Sequence, residues 1–222
     1  MAKKIILIRH GETDWNRLGR YQGHSDTDLN AKGRAQAKKL ARRLKDVDIG
    51  AVYTSDRKRA IGSARIIFGD RPLKSEPGLK EICFGIFEGL TYDEIMARYP
   101  RLHIKWLADP FGVKIPGGET PSAFKKRVLK AFKKITRRKE DDAVAIVTHG
   151  GVINIIAGEM LGALKRRDFV PGHTSLTVIE FIRGKAKAVL LNDTAHLNDG
   201  KDNVHSRRRK KRKEQLRPYA CR

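Results

Sequence analysis

Cysteine is nearly absent from this chain: Cys83 and Cys221 are the only two in 222 residues, and they lie far apart. That excludes a disulfide framework and points to reduced thiols, and no Cys/His spacing resembles a zinc site. Long apolar runs are missing too. None approaches the roughly 20 residues a membrane span needs. The opening Met1-Ala2-Lys3-Lys4 and its short apolar sequel lack the length and the small-residue cleavage site of a secretory signal. A cytoplasmic protein with no membrane partner is the expectation. Aromatic residues make up 7% and do not interleave with the basic ones, as a stacking surface for single-stranded nucleic acid requires. Acidic residues are scarce: 25 Asp/Glu face 48 Lys/Arg, giving a net charge of +23. Residues 201–222 carry ten Lys/Arg and two Asp/Glu, a net +8, which leaves +15 scattered over the first 200. The scattered part reads as solvated helix faces.

What is present is organised around Ile5-Ile6-Leu7-Ile8-Arg9-His10-Gly11. An unbroken short apolar run reads as a strand buried on both faces of a parallel sheet. Ligands of open α/β sheets gather beyond the carboxyl ends of strands, where Arg9 and His10 stand. Ala143 to Gly151 repeats the pattern: apolar run, His149, glycines.

Between these, periodicity predicts a helix over 34–44, a strand over 49–53 and a helix over 57–68 capped by Ser55 or Asp56. A short strand over 73–76 and an irregular segment over 79–90 follow. Helices are predicted over 91–98, stopped by Pro100, over 102–108, and from Thr120-Pro121 to 138, with a Pro/Gly-rich loop over 110–118. A helix over 152–161 and a strand over 175–182 lead into a hairpin at 183–185 and its partner over 186–191. This order predicts an α/β fold: a three-layer α/β/α sandwich around a mostly parallel sheet, interrupted by a long helical excursion. One folded domain is expected over 1–192 and a basic, disordered tail over 193–222.

Four features stand to converge at one sheet edge: Arg9-His10, Arg59, Glu81 and His149. Arginine forks match phosphate oxygens two at a time. Helix N-termini after Ser55 and at Gly150 would add backbone donors. Such a site suits a phosphoryl dianion. A neutral imidazole can attack phosphorus and split hydrolysis into two steps. Glu81, among Ile82, Phe84, Ile86 and Phe87, is the carboxyl placed to protonate the leaving alkoxide, with apolar neighbours expected to raise its pKa. Each residue alone has a plainer reading, as a surface charge for Arg59 and Glu81 and a structural histidine for His149. A metal set of His10, His149, Glu12 and Asp14 is opposed by the two arginines. Cys83 reads as a buried, inert thiol.

In order along the chain stand Leu7-Ile8-Arg9-His10-Gly11-Glu12-Thr13, Asp14-Trp15-Asn16, Tyr21-Gln22-Gly23, Asp28-Leu29-Asn30 and Ser55-Asp56-Arg57-Lys58-Arg59-Ala60. Glu81-Ile82-Cys83-Phe84-Gly85, Glu88-Gly89, Pro116-Gly117-Gly118-Glu119-Thr120 and Val147-Thr148-His149-Gly150-Gly151 complete the set. Over residues 3–192 this series resembles the histidine phosphatase superfamily, also called phosphoglycerate-mutase-like. The resemblance implies that His10 is the phosphorylated nucleophile. It gives Arg9, Arg59 and His149 the phosphoryl oxygens, makes Glu81 the proton donor, and lines the phosphate pocket with Asn16, Gln22 and Gly23. It calls for no metal and no cofactor.

The short stretch from Glu81 to Pro116, and Gly151 where mutases usually carry Asn, are more similar to the phosphatase branch. Within it they resemble α-ribazole phosphatases of cobalamin nucleotide-loop assembly and broad-specificity relatives. The expected partner is therefore a small phosphorylated substrate. A cofactor-dependent phosphoglycerate mutase, and a protein binding nucleic acid or another polyanion through the basic tail, are the competing readings. For the tail itself a solvated extension is preferred. The segment 102–118 is expected to cover the leaving group. Monomer and homodimer are equally open.

Overall fold

The computed structural model describes residues 2–109, 112–137, 142–162 and 170–198. Strand β1 (Lys4–Arg9) leads into a four-residue helix α1 (Asp14–Arg17) and then α2 (Ala31–Leu44). Next come β2 (Ala51–Thr54), α3 (Lys58–Phe68) and β3 (Leu73–Ser75). The excursion holds α4 (Tyr92–Arg98) and α5 (Pro100–Ala108). Helix α6 (Pro121–Thr136), β4 (Ala143–Thr148), α7 (Gly150–Leu161), β5 (Leu176–Ile182) and β6 (Lys185–Asp193) follow.

The six strands form one sheet in the order β3-β2-β4-β1-β5-β6. The pairs β3–β2, β2–β4 and β4–β1 are parallel, and β1–β5 and β5–β6 are antiparallel. β1 and β4 lie side by side in register, Ile8 opposite Val147 and Arg9 opposite Thr148, so both strands end at one edge. Alternation along β1 sends Ile5 and Leu7 into one core and Ile6 and Ile8 into the other. The first core takes α6 and α7 through Phe124, Val128, Phe132, Val152, Ile153 and Ile156. The second takes α2 and α3 through Ala37, Leu40, Ala60, Ala64 and Ile67. Three layers result. Each fully buried Ile or Leu in them contributes about 1.5–3 kcal/mol.

Local departures from the sequence expectations have physical causes. α1 escapes periodicity because it is a single turn, fixed by a capping box between Thr13 and Asn16. Pro100 does not simply stop α4; it opens α5 from a first-turn position. α3 starts after an extended Arg57, and neither Ser55 nor Asp56 is its cap. Its Lys58 N–H instead donates to the remote Asp26 Oδ1 at 2.7 Å. Past residue 192, where the tail was expected to begin, β6 runs on to Asp193 and a 3₁₀ turn covers Ala195–Leu197. Arg43 pairs with Asp193, and Lys39 reaches the Leu197 carbonyl. Residues 199–222 lie outside the described residues. Among the described residues no helix is long and apolar enough to cross a membrane.

Candidate active site

His10 follows β1 directly. Its backbone N–H donates to Thr148 O at 2.9 Å, and Thr174 N donates to Arg9 O at 3.0 Å, so the Arg9-His10 step is pinned between β4 and the start of β5. The ring is buried and its Nδ1 lies 2.7 Å from Gly11 O. A carbonyl only accepts, so Nδ1 carries the proton and Nε2 keeps its lone pair. Burial, then the charges of Arg59 and Arg9, hold the His10 pKa well below the ordinary imidazole value. Gly11 is obligatory here: a Cβ would lie 2.6 Å from Gly33 O.

Arg59, in the first turn of α3, is almost fully buried, and burial lowers its pKa to about 10. Its guanidinium donates to Gly23 O at 2.8 Å and Ser25 O at 2.7 Å. Its buried Nε has no partner among the described residues. The side-chain oxygen of Asn16 accepts from Thr13 N and Oγ1, and that of Gln22 accepts from Thr27 Oγ1 at 2.6 Å. Both amides therefore keep their NH₂ groups as donors. The loop carrying Gln22 and Gly23 is tied to the Glu81 segment by Glu88, whose carboxylate accepts from His24 N, Ser25 N, Ser25 Oγ and Phe84 N.

His149 follows β4 directly, and its ring centroid lies 5.2 Å from that of His10, edge-on. Its Nε2 meets Ser55 Oγ at 2.9 Å, while its buried Nδ1 has no partner among the described residues. Burial, then Arg59, holds its pKa well below the usual value, so it too is neutral. Glu81 faces the start of α7: its Oε2 accepts from Gly151 N at 2.9 Å and its Oε1 from Ile82 N at 3.0 Å. The carboxyl is thus met by two backbone donors. A Cβ at Gly151 would come within 2.3 Å of Glu81 Oε1, which gives that glycine a reason.

Arg9, His10, Asn16, Gln22, Gly23, Arg59, Glu81, His149 and Gly150 all line one cavity of about 360 Å³. The other two groups of the metal reading are engaged elsewhere, Glu12 with Lys32 and Asn30 and Asp14 with Arg17. The N-terminus of α3 offers less than expected, because Asp26 already takes the Lys58 N–H. Cys83 is half-buried rather than buried, and burial raises its thiol pKa.

The profile of the histidine phosphatase superfamily, branch 1, matches residues 5–194. The chain belongs to this superfamily. It is 32% identical over 200 residues to phosphoserine phosphatase 1 of Hydrogenobacter thermophilus, covering 88% of this chain and 95% of that one. It is 31% identical over 161 residues to adenosylcobalamin/α-ribazole phosphatase of Escherichia coli, covering 72% and 79%. The crystal structure of the α-ribazole phosphatase from Shigella flexneri superposes with a TM-score of 0.81 at 29% identity, over 86% of this chain and 96% of that one. This histidine phosphatase is accordingly a phosphoric monoester hydrolase.

Two features of its cavity were not legible in the sequence. His173 lines the cavity, its ring centroid 6.2 Å from that of His10. Burial and Arg9 lower its pKa to about 3. The available signal was its place just before β5, but only the antiparallel pairing brings that strand's beginning to the edge where β1 ends. The second concerns the excursion. Among the described residues none of 102–118 lines the cavity. Trp106 and His103 pack instead behind its wall, against Tyr21, Phe84 and Phe87. Further lining comes from Arg20, Tyr21, Phe84, Asn154 and Val170 to His173.

Proposed function

We propose that this histidine phosphatase hydrolyses small phosphomonoesters through a phosphohistidine on His10. The observation that carries this reading is the His10 imidazole, held neutral, with its Nδ1 proton given to Gly11 O and its Nε2 lone pair left for phosphorus. Nε2 attacks in line as the phosphorus–oxygen bond to the alcohol breaks, and Glu81 gives its proton to the departing oxygen. Water then attacks phosphorus, Glu81 recovers a proton from it, and the nitrogen–phosphorus bond breaks to restore His10. Arg9, Arg59 Nε, His149 Nδ1–H, the Asn16 and Gln22 amides and the Gly23 and Gly150 backbone surround the equatorial oxygens, where the charge sits. In that tautomer His149 Nε2 accepts from the Ser55 hydroxyl.

The cavity volume suits a metabolite rather than a phosphoprotein. Similarity to enzymes named for α-ribazole phosphate and for phosphoserine supports those two compounds, α-ribazole 5′-phosphate first, within a broad-specificity range. The test is phosphate release across a panel containing both, with chelator present. Rapid quenching should trap one acid-labile, alkali-stable phosphoryl group per chain, absent in His10→Ala. A His10→Ala variant that still releases phosphate contradicts the scheme. Isomerisation of 3-phosphoglycerate with 2,3-bisphosphoglycerate added, and little phosphate release, would instead mark a mutase.

A further inference from the structure

The loop Pro116-Gly117-Gly118-Glu119 and the basic helix behind it touch no part of the cavity, yet they converge on the segment that carries Glu81. Arg127 projects from α6 under that segment. Its Nη1 donates to Gly78 O at 2.9 Å and Lys80 O at 3.0 Å, and its Nη2 donates to Glu81 O at 3.2 Å. The opposite edge of the same guanidinium makes a two-pronged pair with Glu119, Nε to Oε1 at 3.0 Å and Nη2 to Oε2 at 2.7 Å. Such a fork fixes direction as well as distance. The Phe124 ring lies under the guanidinium at 5.2 Å. Glu119 is itself held to the segment, its N–H donating to Cys83 O at 3.0 Å, and Ile86 N donates to Pro116 O at 3.1 Å. Gly78 approaches α6 so closely that a Cβ there would meet Ala131 Cβ at 2.5 Å.

We propose that Arg127 and Glu119 are positioning residues for the proton donor: together they set the backbone of residues 78–83 so that the Glu81 carboxyl meets the leaving oxygen. This rests on the phosphohistidine reading above. A carboxyl that must reach a departing oxygen has a tolerance of a fraction of an ångström. Three carbonyls gripped by one planar cation supply that precision where the chain leaves a 3₁₀ turn at Pro77–Leu79 and has no strand or helix over 80–83. Lysine cannot replace the fork, having one nitrogen for five hydrogen bonds.

The test uses kcat/KM, which covers only the steps up to alcohol release. Two substrates are compared: 4-nitrophenyl phosphate, whose phenolate leaves without a proton, and the alkyl phosphomonoester turned over fastest in the panel. Arg127→Ala, Arg127→Lys and Glu119→Gln should lower kcat/KM for the alkyl ester roughly 10–100-fold. They should leave 4-nitrophenyl phosphate within about threefold, which also reports that the fold and the His10 chemistry survive. In a Glu81→Gln background the same substitutions should add almost nothing. Equal losses on both substrates, or a full loss persisting without Glu81, would overturn the proposal. His10→Ala run alongside keeps the two readings apart: activity surviving there defeats the phosphohistidine scheme itself, and this proposal with it.

Discussion

At the scale of the residue, the site is a set of imidazoles kept neutral among arginines. His10→Ala should lower kcat/KM on every ester by roughly a thousandfold or more in a phosphate-release assay, because it removes the nucleophile and not one of several ligands. Gly151→Ala tests the Glu81 geometry from the other side. Its Cβ would press on Oε1 from 2.3 Å, so kcat/KM on alkyl esters should drop about tenfold or more with 4-nitrophenyl phosphate little changed. The same neutral histidines make stability depend on pH. His173 has its folded pKa lowered to about 3 against an ordinary value of 6.5. Between those limits the unfolded chain binds a proton that the folded chain refuses, so stability falls as pH drops below 6.5. Tm should decline from pH 7 to pH 4, and His173→Asn should flatten part of that decline. Arg9-His10 and His149 were legible because each closes a run of apolar residues at a parallel strand's end. His173 was not, since no local pattern announces which way a strand will run.

At the scale of the element, β4 was read to its observed bounds, Ala143–Thr148, because a strand buried on both faces leaves a continuous apolar signature. Helix α4 was read over 91–98, and the structure starts it at Tyr92, behind a capping box between Thr91 and Glu94. The start of α3 was not legible in this way, since its cap comes from thirty-two residues upstream. Asp26→Ala should therefore lower stability to urea by about 1 kcal/mol, the usual cost of a lost N-cap. It should also weaken phosphate binding, because Arg59 begins in that first turn, and product inhibition by inorganic phosphate measures this. The excursion shows the limit of reading by composition. Its aromatic residues satisfy one another behind the wall, a packing outcome that spacing alone does not disclose.

At the scale of the whole molecule, the charge is the feature that the catalytic site leaves unused. The expected solvated role of residues 201–222 predicts that truncation after Leu197 preserves kcat/KM, with β6 and its contacts to α2 intact. If the tail does grip a polyanion, binding to heparin or duplex DNA will weaken steeply with salt and vanish on that truncation. The sheet order has a consequence of its own. β1 is made before the other five strands but sits between β4 and β5, so during synthesis it waits for both neighbours until residues 143–148 and then 176–182 have left the ribosome. A nascent chain halted before β4 already holds His10, Arg59 and Glu81 and still has no pocket. Turnover therefore switches on late in translation, and a fragment that stops before β4 hydrolyses no esters.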